Sequence, residues 1–511
     1  MAKGNFILTY DIGTTGNKCT VFDEEGKKVW STVSGYDTIY PQPGWSEQRP
    51  EDFWRSVIEA TRELIEKYNM DPMNIGVIGL SGHMNGCLPV DGQGQPLFNN
   101  IIHSDVRTES ECQALSKTFQ SNEIYEITGN RIDPHYTLPK ILWLKKHYPK
   151  IYDDTAYFLN TKDYIAYKLT SNLGITDYSD ASLTCIMDIK AREWSEDIAK
   201  GVGIDMGKLP QIIKSHDIVG KLSKEAASIL GLKEGIPVVA GGGDGACAAK
   251  GAGVVREGMA YNYIGSSSWI STPSKTPILD KKARIFNICD LDGIHYNVIG
   301  TVQSATICYD WVIDNLGRYE KELAITNNDN IFEIIQGLAE ESPIGSRGVF
   351  FVPYMMGERT PHWDADARGG FIGFTLYHNR NDLFRAVYEG VSYALRSVLD
   401  AFEENQHNVE KLNLIGGGAK STLWNEIMCN VYNRPLYIHA HPGEATSLGA
   451  AIAAGVGVKM FKSFDEAEGI IEFSKNFTPH PESVKEYRRY YEVYKMIYPS
   501  LKPVYDAIAM L

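Results

Sequence analysis

Phe6-Ile7-Leu8-Thr9-Tyr10 runs into Asp11-Ile12-Gly13-Thr14-Thr15-Gly16 and leaves through Lys18-Cys19-Thr20-Val21-Phe22. A short apolar run, a Gly/Thr cluster and a second apolar run read as strand, tight turn and strand. Glycine and threonine at a turn suggest a phosphate loop, but two common kinds do not fit. Gly13-Thr14-Thr15-Gly16 lacks the GxGxxG spacing of a dinucleotide loop, and Lys18-Cys19 does not make the GK[ST] end of a P-loop. Both motifs also need a helix N-terminus after the turn, and here a strand pattern follows. Two readings remain. The turn is either an ordinary hairpin with glycines at positive φ or a hairpin whose N–H groups and hydroxyls cradle an anion.

Working outward, Asp23-Glu24-Glu25-Gly26 turns the chain into a third strand near residues 28–33. Pro50-Glu51-Asp52 then opens a helix, on which Phe53, Trp54, Val57, Ile58, Thr61, Leu64 and Ile65 recur at the helical period. Gly76 to Leu80 reads as a buried strand ending in Ser81-Gly82-His83-Met84-Asn85-Gly86. Residues from about 105 to 200 read as mainly helical, with Trp143 and Tyr164 among the core aromatics. Ile236 to Ala240 is a further strand, ending in Gly241-Gly242-Gly243-Asp244-Gly245, and a helix of small residues from Ala246 to about Gly253 follows. The domain boundary is set at that helix, giving residues 1–250 and 251–511.

Beyond it the opening pattern recurs. Met259 to Ile264 is a strand, Gly265-Ser266-Ser267-Ser268 a turn, and Trp269 to Thr272 a second strand. Leu412 to Ile415 ends in Gly416-Gly417-Gly418 and precedes a helix from about Ser421 to Tyr432. This internal repeat predicts two related domains, each presenting a hairpin turn to one cleft.

Bulk properties narrow the function. A chain of 511 residues is too long for one ordinary core. A net charge of -14 argues against a nucleic-acid surface, which needs basic residues to neutralise phosphates. The eight cysteines are scattered without a CxxC pair, which fits reduced thiols in a cytoplasm. The first apolar run stops at Asp11, so it is not a secretory signal. No stretch approaches the ~18 apolar residues of a membrane helix. A small-molecule partner, with no nucleic acid and no membrane, is therefore expected.

Several single residues carry two readings. Asp244 stands between a strand and a helix, either as an N-cap or as a carboxylate open to a ligand. Asp11 either ends a strand or holds a hydrated Mg2+. Gly416 to Gly418 either form a strand–helix connection or let a flat ligand lie on the backbone. The histidines show no metal-ligand spacing, and Arg359, within Gly357-Glu358-Arg359-Thr360-Pro361-His362, reads as a solvated loop residue. The tail tyrosines Tyr487, Tyr490, Tyr491, Tyr494 and Tyr498 read as packing against the body.

Taken in order, these pieces resemble the FGGY family of carbohydrate kinases over nearly the whole chain. The most specific stretches are Asp11 to Thr15, Gly44-Trp45-Ser46-Glu47-Gln48, Lys140-Ile141-Leu142-Trp143-Leu144, Gly241 to Asp244, and Gly369 to Glu389. The Lys140 and Gly369 stretches, which resemble the family's two signatures, each carry a mild departure, at His135 before Lys140 and at Phe374. The resemblance implies an α/β fold of two actin-like (ribonuclease H-like) ATPase domains, mixed sheets flanked by helices, with ATP and a sugar in the cleft between them. It makes Asp244 the catalytic base and Asp11 the carboxylate beside Mg2+. It makes Gly13, Thr14, Thr15 and Lys18, with Gly265, Ser266 and Ser267, the phosphate turns, and Gly417, Gly418 and Asn425 the nucleoside site. Sugar contacts fall on His83, Met84, Asn85, Asp105 and Asp244, and a homodimer is expected.

Within the family the chain is most similar to xylulokinases, through Gly79 to Asp91, Thr176-Asp177-Tyr178-Ser179-Asp180-Ala181 and Gly357 to His362. It departs from them at His83-Met84-Asn85-Gly86, where they usually read Gln-Met-His-Gly, and at Ser104-Asp105, where they usually read Asn-Asp. D-Xylulose is therefore the expected substrate, with another polyol (L-xylulose, ribulose, gluconate, glycerol or erythritol) as the alternative. A silent sugar-binding regulator is disfavoured because Asp11 and Asp244 are both retained. An ATPase acting on protein partners is disfavoured by the carbohydrate-kinase signatures.

Overall fold

The computed structural model describes residues 6–120 and 122–511. The opening stretch forms the expected antiparallel meander of β1 (Phe6–Ile12), β2 (Gly16–Phe22) and β3 (Lys28–Gly35). Helix α1 (Pro50–Tyr68) starts with Pro50 in its first turn and places Glu51 and Asp52 there, where the helix dipole favours negative charge. It buries Phe53, Val57, Ala60, Thr61 and Leu64. β4 (Ile75–Gly82) runs parallel to β1. β5 (Ile218–Lys221), β6 (Pro237–Val239) and the two-residue β7 (Gly242–Gly243) complete a seven-stranded sheet in the order β5-β6-β4-β1-β2-β3, with β7 paired to β4. Helix α2 (Asp244–Gly251) follows at once. Between β4 and β5 the chain adds helices such as Glu109–Thr118, Thr137–His147 and Thr161–Thr170, joined by short strands, with Trp143 and Tyr164 both buried.

The second half repeats this plan. β8 (Met259–Ile264) and β9 (Ser268–Ser274) are an antiparallel hairpin, followed by β10 (Phe286–Cys289) and β11 (Tyr296–Val302). Helices α3 (Thr306–Leu316) and α4 (Arg380–Glu404) precede β12 (Lys411–Ile415), which is parallel to β8. Helix α5 (Thr422–Tyr432), β13 (Leu436–His439), helix α6 (Ala445–Gly457), β14 (Phe473–Phe477) and helix α7 (Pro481–Ala509) end the chain. The sheet order is β10-β11-β9-β8-β12-β13-β14. Reading β3-β2-β1-β4-β6-β5 against β11-β9-β8-β12-β13-β14, every pairing has the same parallel or antiparallel sense. That topology is the ribonuclease H-like ATPase domain, present twice.

β1 and β4 read as continuous apolar runs because both faces of the first sheet are covered. Leu8 and Ile78 belong to the core that includes α1, whereas Ile7 and Val77 join Ala450 and Ala454 of α6. Helix α6 thus comes from beyond residue 440 to lie under the first sheet. It also packs along α2 with almost no space between the backbones. A Cβ at Gly251 would stand 1.6 Å from the Ala445 carbonyl oxygen, and one at Gly449 would stand 1.9 Å from that of Cys247. The tail helix closes the second core with Tyr487, Tyr491 and Tyr494, which pack against Tyr393 of α4. All eight cysteines are buried and unpaired. Among the described residues no helix is long and apolar enough to cross a membrane.

Candidate active site

The edge of the first sheet is where the chemistry gathers. Strand register sets Asp11 of β1 opposite Lys18 on β2 and beside Ser81 on β4, and Ser81 pairs in turn with Gly242. One row, Lys18–Asp11–Ser81–Gly242, therefore crosses the sheet edge, and Asp244 enters two residues later as the first residue of α2. The N-cap reading of Asp244 does not hold. The cap position is Gly243, the helix starts two residues earlier than its small-residue pattern suggests, and Asp244 Oδ1 accepts only from the adjacent Gly245 N–H at 2.8 Å. Burial pushes the Asp244 carboxyl up to about 7, and the charge of Asp11 adds to the rise. Burial likewise raises Asp11 to about 6, against the pull of the Ser81 hydroxyl and the Lys18 ammonium, while Glu444 pushes it further up. Two carboxylates thus stand on one sheet edge, each bearing on the other, without a full counter-charge.

Each half offers a turn to this pair. In the first, Tyr36 donates to the Gly13 carbonyl and Gln48 Nε2 to the Thr14 carbonyl at 2.6 Å, so both carbonyls are tied back. The N–H groups of Thr14 and Thr15 find no acceptor among the described residues. The second turn is fastened to the start of α3, because Ala305 N–H donates to Ser266 O at 2.7 Å and Thr306 N–H to Gly265 O at 2.9 Å. Here too the N–H groups of Ser266 and Ser267 find no acceptor among the described residues. Free, convergent N–H groups are what an anion needs. Lys18 reaches across to donate to the Gly443 carbonyl and lies 3.9 Å from Glu444, which also pairs with Lys28 at 3.2 Å.

Gly416 and Gly417 line a cavity of about 500 Å³ together with Tyr263, Lys420, His441 and Gly443. Gly417 is exposed in it and Gly418 is buried. Asn425, buried on α5, donates to the Ala419 carbonyl at 2.8 Å and so fixes the Gly417–Lys420 turn from behind.

On the other side of Asp244, Met84 packs directly against Gly243, where a Cβ would lie 2.4 Å from the Met84 side chain. His83 is buried, its Nε2 3.0 Å from Thr161 Oγ1, and burial lowers it to about 4, so the ring is neutral. Among the described residues its Nδ1 has no partner, nor has that of His103, whose ring lies 5.7 Å away. Asn85 adopts a left-handed φ of 64° and carries an unpartnered buried Oδ1. Lys140 holds this loop in place, donating to the Asn85 carbonyl at 2.6 Å and to that of His135 at 2.7 Å. Asp105 is different from its expected neighbours. Its carboxylate is fully buried, accepting the Ser46 N–H and a two-nitrogen fork from Arg107. It secures the 44–48 segment and presents no free oxygen to the cleft. Arg359 also differs from its solvated-loop reading. It is half-buried, and its charge bears on His103, Asp133 and His135 of the first half.

Residues 6–251 match the N-terminal domain of the FGGY family of carbohydrate kinases, and residues 260–458 match its C-terminal domain. The chain is 34% identical over 507 residues to a protein named xylulose kinase of Bacillus subtilis, covering 98% of each chain. The chain belongs to the FGGY family of carbohydrate kinases. A gluconokinase of the same organism is 30% identical over 506 residues, covering 99% of this chain and 98% of that protein. A crystal structure of ligand-bound xylulose kinase from Lactobacillus acidophilus superimposes with a TM-score of 0.91 at 26% identity, covering 98% of this chain and 99% of that one.

In this FGGY kinase two motifs identified only by resemblance acquire physical roles. Trp45 and Trp143 meet edge to face, and Arg107 lies against both, at 3.9 and 4.8 Å from the ring centres, while Glu47 and Asp105 neutralise it. The Thr176 to Ala181 motif supports the loop that carries Asp244. Ser179 Oγ accepts the Gly243 N–H at 2.9 Å and donates to Asp177 Oδ2 at 2.6 Å. Lys162, also buried, lies 3.0 Å from the other Asp177 oxygen. Neither role is readable in the sequence, because Trp45 and Trp143 meet at Arg107 from opposite directions along the chain and Gly243 lies far beyond Ser179.

Proposed function

We propose that this carbohydrate kinase transfers the γ-phosphoryl group of MgATP to the primary hydroxyl of D-xylulose, giving D-xylulose 5-phosphate and ADP. The observation that carries the reading is the Asp11–Asp244 pair standing between two turns with unengaged N–H groups. The similarity to xylulose kinases along nearly the whole chain supports the choice of sugar. In this reading residues 1–250 hold the sugar, through His83, Met84, Asn85 and Asp244, and residues 251–511 hold most of the nucleotide.

Phosphoryl transfer is mainly positioning and charge stabilisation. Asp244 accepts a hydrogen bond from the sugar hydroxyl and takes its proton as that oxygen bonds to phosphorus; the bond from phosphorus to the β–γ bridging oxygen breaks and ADP departs. The N–H groups of Thr14, Thr15, Ser266 and Ser267 receive the phosphate oxygens, and Gly417, Gly418 and Asn425 support the nucleoside. The site fits a divalent cation of the Mg2+ type, which is commonly held by one or two carboxylates plus substrate phosphates. Asp11 would hold it, directly or through water, and the ion when bound would neutralise phosphate charge. Closure of the two halves would keep water from the phosphoryl group.

The changes at His83 and Asn85 flank Met84, which packs on Gly243 next to Asp244, so another polyol, an aldonate included, is the second reading. The test is ADP release with MgATP and a panel of D-xylulose, L-xylulose, D- and L-ribulose, gluconate, glycerol and erythritol. Turnover led by D-xylulose supports the proposal. A preference for any other member by more than tenfold in kcat/KM replaces D-xylulose with that sugar.

A further inference from the structure

Tyr263 is the next-to-last residue of β8, and strand alternation sets it on the same face as Tyr261. The Tyr261 hydroxyl has a structural task. It accepts from Trp269 Nε1 at 2.9 Å and donates to the Gly245 carbonyl at 3.0 Å, on the first turn of α2. Tyr263, one step nearer the cleft, has its ring equally well fixed but its hydroxyl free. The ring lies flat on Trp269, with centres 4.1 Å apart and planes 18° from parallel. It also lies against the second turn, where a Cβ on Gly265 would be 2.6 Å from the phenol oxygen. The residue lines the cavity formed by Gly416, Gly417 and Gly443. Burial, and after it the charge of Asp244, raise the phenol above its ordinary range, so it stays protonated. Among the described residues it has no hydrogen-bond partner. A rigidly held donor with no protein acceptor, set against the Gly265–Ser267 turn and one strand step beyond the tyrosine that bonds Gly245 beside Asp244, stands where a phosphoryl group would cross.

We propose that Tyr263 is a catalytic residue of the phosphoryl transfer, its hydroxyl donating a hydrogen bond to a non-bridging oxygen of the group in flight. No proton changes hands; the hydroxyl stabilises charge on that oxygen, and a fixed donor does so without reorganising. The proposal rests on the reading of the Gly416–Gly443 cavity as the nucleotide site. Tyr263→Phe removes the hydroxyl and keeps the ring on Trp269. Its kcat falls about 100- to 1000-fold, while the KM for the sugar, the Kd for ADP measured by calorimetry and the melting temperature stay close to those of the parent. A kcat within twofold of the parent overturns the proposal, and so does a fall in kcat matched by an equal loss of ADP affinity, which would mark a packing role. Gly417→Val separates this from failure of the site reading, because its side chain projects into open space within the cavity. Weakened ADP binding in Gly417→Val supports the nucleotide site. Unchanged binding there refutes the site and the role of Tyr263 together, whereas a parent-like Tyr263→Phe beside a defective Gly417→Val refutes Tyr263 alone.

Discussion

Replacing Asp244 with Asn keeps the side chain's shape and its Oδ1 acceptor for Gly245, but removes a negative charge that the fold holds out of water. Burial, with Asp11 adding to it, raises this carboxyl from 3.8 to about 7. The folded protein therefore binds this proton more tightly than the unfolded chain, and stability falls as pH rises between about 4 and 7, staying low above that. The full displacement corresponds to about 4 kcal/mol. Asp244 keeps part of its surface open to the cleft, so that figure is an upper bound. Asn carries no such penalty at any pH. Asp244→Asn should thus be more stable than the parent at pH 8 by about 2–4 kcal/mol, with the advantage shrinking toward zero near pH 4. In thermal unfolding followed by circular dichroism, this is a rise of about 5–10 °C at pH 8 for a half of this size. Phosphoryl transfer is lost in the same variant. An advantage independent of pH, or a variant less stable than the parent at pH 8, would refute the claim that the fold holds this carboxylate desolvated.

Three further outcomes follow from the geometry. Because Asp244 must be ionised to accept a proton, kcat/KM for the sugar should rise tenfold per pH unit on the acid side and level off near pH 7; a profile flat from pH 5 to 8 would contradict this. Arg107→Met leaves Asp105 and Glu47 buried without their cation and should destabilise the protein by about 3–5 kcal/mol in denaturant titration. Gly449→Ala drives a methyl group toward the Cys247 carbonyl and should lower the melting temperature by several degrees, whereas the same change at exposed Gly469, where no atom lies within 4 Å, should not.

The hairpin around Asp11 and its echo around Gly265 are legible because short apolar runs broken by a glycine-containing cluster are a local signal. The correspondence between the sheets makes the repeat a matter of topology. Other features depend on contacts remote in sequence. Nothing in the Ala445–Gly457 run distinguishes a helix that closes its own domain from one that lies under the other sheet. Asp105 looks available for a sugar until Arg107 and Ser46 are seen to occupy it. Arg359 sits in a polar loop that the fold folds back over His103 and His135. The start of α2 was misjudged because Gly243, Asp244 and Gly245 are weak helix formers, and tertiary packing overrides that preference. Tyr263 is masked by its own strand: in Met259–Ile264 every residue but Asn262 is apolar or aromatic, and Tyr263 carries no distinguishing pattern.

Under the proposed function, Asp244 drives transfer of a phosphoryl group from ATP to a sugar's primary hydroxyl. The most direct measurement is phosphorus NMR of the reaction of MgATP with D-xylulose, run with the parent and with Asp244→Ala. The parent should produce ADP and a sugar phosphate resonance split by the two protons of a CH2–O–P group. Asp244→Ala should still bind ADP but leave that resonance absent. Release of inorganic phosphate in place of the ester by the parent, or ester formation at the parental rate by Asp244→Ala, would contradict the account.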